Sequence, residues 1–119
     1  MPSIVEQVDR CGCAIAALAM YMQRDYQEVR DACLREVCDR DFSVKGLYTA
    51  EIIKLAALFG FKLKEKKSKP KGRAILVVVY PYSLHAVYYD GMNAFDPEYQ
   101  NNTTHGYLKN TMCHLTERL

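Results

Sequence analysis

The chain has 119 residues, 50% of them apolar when tyrosine and cysteine are counted, and a formal net charge of +2. That length supports one modest core, read as a single domain over 1–119, and the near balance of charge excludes a chain-wide basic footprint for nucleic acid. The apolar runs Ala14 to Met22 and Ala74 to Tyr80 fall far short of the roughly 20 residues that span a bilayer, and the start of the chain lacks a secretory pattern, so a cytoplasmic protein without a membrane partner is expected.

The first predicted element is a helix over the Ala-rich run Cys13 to Met22, closed by the polar Gln23-Arg24-Asp25. Apolar positions 26, 29, 33, 34 and 37 predict a second helix over Tyr26 to Cys38. A third is expected over Thr49 to Phe59, with Thr49 as its cap and Gly60 as its stop. Phe61 to Glu65 alternates like an edge strand, and Ala74 to Tyr80 is a continuous β-branched run, the pattern of a strand buried on both faces. Pro81-Tyr82-Ser83 turns that strand into another over Leu84 to Tyr89, paired with Met92 to Phe95 across Asp90-Gly91. Beyond Asn102 the pattern allows a short helix or a strand, with Tyr107, Leu108, Met112 and Leu115 as contacts to the core. Helices followed by an antiparallel sheet define an α+β fold.

Three residues stand out chemically. Cys11, followed by Gly12, falls near the start of the first helix, where unpaired N–H groups and the positive end of the dipole favour a thiolate. Gly12 would leave room for a substrate beside the sulfur. With Asp90-Gly91 as a two-residue loop, Tyr89 faces Met92, Val87 faces Ala94 and His85 faces Asp96. That register makes His85 and Asp96 cross-strand neighbours, as a general base and the group that orients it must be. Cys13 is read as a small buried residue of the helix.

The segments Cys11-Gly12-Cys13-Ala14, Asp25-Tyr26-Gln27-Glu28-Val29, His85 to Gly91 and Asp96-Pro97, in this order, resemble the papain-like cysteine peptidases related to the bacteriocin-leader-processing, or double-glycine leader, family. The resemblance implies a papain-like fold, with helices packed on a C-terminal sheet, and matches Cys11 to the nucleophile, His85 to the base and Asp96 to the orienting residue. It also implies that Gln7 contributes to the oxyanion site, although Gln7 stands closer to Cys11 than is usual in these enzymes. The expected reaction is cleavage of a peptide bond in a peptide or protein substrate through a thioester, with no cofactor. By analogy alone, a stand-alone domain without an exporter points to a bacterial or phage protein.

Two other readings keep the same residues: a deamidase or transamidase acting on glutamine side chains, and a catalytically silent module that binds a protein partner. The five cysteines have neither an even framework nor zinc-like spacing, so a reducing compartment and no metal site are expected. Residues 66–73 hold Lys66, Lys67, Lys69, Lys71 and Arg73, read as a solvated connection, with contact to an acidic partner or phosphate as the alternative. His105 and His114 are assigned no chemistry.

Overall fold

The computed structural model describes residues 12–37, 47–80, 83–97 and 104–117. Three helices come first, α1 (Cys13–Met22), α2 (Tyr26–Glu36) and α3 (Thr49–Leu58). Four strands follow, β1 (Lys64–Lys66), β2 (Ala74–Tyr80), β3 (Ser83–Tyr89) and β4 (Ala94–Phe95), then α4 (Thr104–Lys109) and β5 (Thr111–Thr116). The strands form one antiparallel sheet in the order β1-β5-β2-β3-β4. The fold is therefore α+β, with a fourth helix set between strands of the sheet.

Helix α1 is apolar around its whole circumference and is buried from Ala14 to Met22, the signature of a central rather than a surface helix. It packs on β3 and β2 on one side and on α2 and α3 on the other. Ile15, Leu18 and Tyr21 are fully buried, each contributing about 1.5–3 kcal/mol by leaving water. Gln23 closes the helix in the left-handed region, at φ 55°. Arg73 fastens that end to the sheet by donating to the Tyr21 carbonyl (2.8 Å), and its guanidinium lies 4.3 Å from the centre of the Tyr21 ring. A cation at a helix C-terminus also complements the dipole.

The sheet is covered on both faces. Ile75, Ala86, Tyr88 and Leu115 join the core under α1 to α3, while Leu76, Val78, Val87 and Tyr89 face the other way, against Tyr107 and Leu108 of α4. Strand β2 therefore needs apolar residues on both sides, which accounts for its unbroken hydrophobic run.

Three expectations about local structure are corrected. Thr49 is the first residue of α3 and not its cap; Glu51 reaches back to accept from the Tyr48 N–H at 2.8 Å, half of a capping box. Helix α2 ends at Glu36, and Leu34 of its expected apolar stripe is 40% exposed. The tail holds both a helix and a strand, and β5 inserts between β1 and β2. Tyr107 and Leu115 are buried there, while Met112 is exposed.

Candidate active site

Gly12 occupies the N-cap of α1, and its carbonyl accepts from Ala16 at 3.0 Å, so Cys13 is the first helical residue. Cys13 is therefore the described cysteine that stands in the first turn, the turn whose backbone N–H groups have no partner within the helix. Cys11 and Gln7 lie outside the described residues. Cys13 is half-buried and carries a free thiol. Its side chain hydrogen-bonds His85.

The β3–β4 connection differs from the expected two-residue turn. Asp90 accepts the N–H groups of Met92 (2.8 Å) and Asn93 (2.7 Å), and its own N–H donates to the Asn93 carbonyl at 3.1 Å. Residues 90–93 thus form a longer loop, with Gly91 at φ 105°. An aspartate side chain that bonds the next backbone amides is itself a turn former, and it outcompetes the tight turn. The resulting register pairs Tyr89 with Ala94 and Tyr88 with Phe95. Continued by one step, it sets Asp96 opposite Val87 rather than His85.

The correction leaves the chemistry intact because the slip is by two residues. An even slip keeps every side chain on its face, whereas a slip by one would reverse it. His85 then reaches Asp96 along the diagonal, which a side chain of its length can span. His85 donates from Nε2 to Asp96 Oδ1 at 2.5 Å, with both residues buried. This bond leaves Nδ1 as the nitrogen that faces the Cys13 thiol.

The second oxygen of Asp96 is also held. Tyr107 donates its hydroxyl to Asp96 Oδ2 at 2.6 Å, and Thr104 Oγ1 accepts from the Ala94 N–H at 3.1 Å, tying the start of α4 to β4. Tyr107 was legible in the sequence only as a core contact.

Burial alone would lower the His85 pKa, but the Asp96 hydrogen bond and the bond and charge of the Cys13 sulfur outweigh it, and the ring is pushed up to about 10. The imidazole thus holds its proton between a carboxylate and a sulfur. A mainly apolar cavity of about 150 Å³ opens beside them, lined by Cys13, His85, Tyr48, Ile52, Val77 and Ala86. Among the described residues, no group of three His, Cys, Asp or Glu side chains is placed to hold a metal ion.

No family model matches the sequence, and no curated protein matches it. Among solved structures, the chain is similar to the crystal structure of a double glycine motif protease from an AMS/PCAT transporter in complex with the leader peptide. The chain shares the fold of that protease. The TM-score is 0.71 at 17% identity, over 98% of this chain and 90% of that one. The double glycine motif protease fold has helices first and then an antiparallel sheet, the architecture described here, while at this identity the likeness speaks for the fold alone. No helix among the described residues is long and apolar enough to cross a membrane.

Proposed function

We propose that this chain is a cysteine peptidase, with Cys13 as nucleophile, His85 as general base and acid, and Asp96 as the residue that orients His85. The observation that carries this reading is the His85 ring bonded at Nε2 to Asp96 and at its other side to the thiol of the first residue of α1. Assigning Cys13 in place of Cys11 also removes a departure from the family pattern. Gln7 precedes Cys11 by four positions and Cys13 by six, which gives its amide more chain with which to reach the oxyanion.

In the proposed reaction the sulfur, its proton held on His85 Nδ1, attacks the carbonyl carbon of a peptide bond. The backbone N–H of Cys13 and the Gln7 amide take the developing negative charge. His85 then protonates the departing amine, leaving a thioester on Cys13. Water attacks that thioester and passes a proton back to His85, releasing the acid and restoring the resting pair. Asp96 keeps the ring in the right tautomer throughout and stabilises its charge. Gly12, at the helix cap, leaves the approach to the sulfur open, and the apolar cavity takes one uncharged side chain of the substrate. The structural neighbour holds a leader peptide, which supports a peptide substrate here.

The test is limiting alkylation followed by peptide mapping, between about pH 5 and 8, with Cys11→Ala and His85→Ala as companions. Fast labelling of Cys13 that persists in acid, survives Cys11→Ala and is lost in His85→Ala is expected. Fast labelling confined to Cys11 would overturn the assignment of the nucleophile. Slow labelling of both would overturn the enzyme.

A further inference from the structure

At the opposite edge of the sheet from His85, a cavity of about 200 Å³ is bounded by Lys66, Ser68, Lys69, Lys71, His114 and Thr116. This is far more than the roughly 10–15 Å³ that one water needs. Among the described residues that line it, none carries a carboxylate. His114 is 3% exposed, and its Nδ1 has no hydrogen-bond partner. The other ring nitrogen bonds the Ser68 backbone, so in the neutral ring Nε2 carries the proton and Nδ1 offers a bare lone pair. An unsatisfied buried acceptor beside several ammonium groups is costly unless a ligand completes it.

We propose that this cavity binds a phosphate group, as the free ion or as a small monoester, between the Lys66, Lys69 and Lys71 ammonium groups and the His114 ring. Phosphate fits both demands of the site. Its unprotonated oxygens accept from the lysines, and its remaining P–O–H donates to Nδ1. Because the second pKa of a phosphate monoester is about 6, that proton is available near neutrality. Transfer of the same proton to Nδ1 gives imidazolium and phosphate dianion, an equally paired state. Sulfate carries no such proton, so it binds well only once His114 is itself protonated.

The surroundings set the sign of the pH dependence. Burial, and then Lys66, lower the His114 pKa, against the Ser68 bond that raises it. Lys64 and Lys66 come from β1, paired with Thr116 and His114. Lys69 and Lys71 come from the following loop, and Leu76 of β2 brings no charge. His105 and Lys109 of α4 line a second hollow beyond Ser68 and Lys69, while Glu65 and Lys67 act on Cys113. Among the described residues the charge that acts on His114 is positive, so a bound phosphate raises its pKa and sulfate affinity climbs as pH falls.

The experiment is proton–nitrogen NMR of the histidine rings in the full chain, titrated with inorganic phosphate, sulfate and glycerol phosphate at matched ionic strength. Inorganic phosphate is expected to shift His114 Nδ1 saturably near neutral pH, with sulfate weaker and the His85 signals unmoved. The exposed pair Lys69→Gln with Lys71→Gln should weaken phosphate by about tenfold or more. Tighter binding of glycerol phosphate assigns the monoester, and tighter binding of phosphate the free ion. Unsaturable shifts equal to those of sodium chloride, or no effect of the lysine pair, would overturn the proposal.

Discussion

The sheet buries two histidines to almost the same depth, His85 at 4% exposure near one edge and His114 at 3% near the other, with opposite outcomes. Desolvation opposes the charged form of both. At His85 a carboxylate and a sulfur overcome it and the pKa rises to about 10; at His114 desolvation, with Lys66 acting in the same direction, prevails and the pKa falls. Depth sets the size of the penalty, and the partner decides the protonation state.

The strongest way to break this comparison is to remove the sulfur. Cys13→Ala is expected to abolish peptide cleavage, whereas Cys11→Ala retains it within a few-fold, as a discontinuous cleavage assay would show. Next comes the carboxylate. Asp96→Asn should cut turnover by roughly 10²–10⁴-fold and move the basic limb of the pH–rate profile to lower pH, because His85 loses the bond that holds its proton. Glutamine substrates assayed for ammonia release separate a peptidase from a deamidase in the same experiment.

Smaller effects sharpen the contrast. Tyr107→Phe removes the hydroxyl that donates to Asp96 Oδ2 and should cost about 1–3 kcal/mol in denaturant unfolding, with a modest fall in turnover. The pH dependence of unfolding should show both histidines from opposite ends. The His85 pKa is raised from 6.5 to about 10, so its contribution is complete below 6.5 and is lost as pH climbs towards 10. The His114 pKa is lowered from 6.5, so its contribution is complete above that value and is lost in acid. His85→Gln should flatten the alkaline limb and His114→Gln the acid limb. Gly60→Ala, at φ 88°, should cost about 1 kcal/mol in thermal unfolding.

Much of this arrangement was legible in the chain. The bounds of α1 follow from an uninterrupted apolar run, and those of β2 from burial on two faces. His85 and Asp96 come together because alternation on a strand survives an even slip, although the loop is longer than the Asp90-Gly91 pair suggests. The turn itself was hidden because Asp90 acts through its carboxylate, and a dipeptide pattern records only backbone preference. A Cys-x-Cys pair at a helix entrance is degenerate, and only the position of the Gly12 cap distinguishes its members. Tyr107 was legible as a buried residue but not as a ligand of Asp96, since α4 and β4 meet only in three dimensions. The insertion of β5 was likewise out of reach, because strand order is a long-range property that local composition does not encode.

That insertion has a consequence for how the protein is made. Strand β1 ends at Lys66 and its partner β5 starts at Thr111, so at about 5–20 residues per second a ribosome exposes β1 for several seconds before β5 exists. During that interval β2 also lacks the neighbour on one side. Lys64 and Lys66, with Glu65 between them, give this waiting edge the charged character that discourages pairing with another nascent chain.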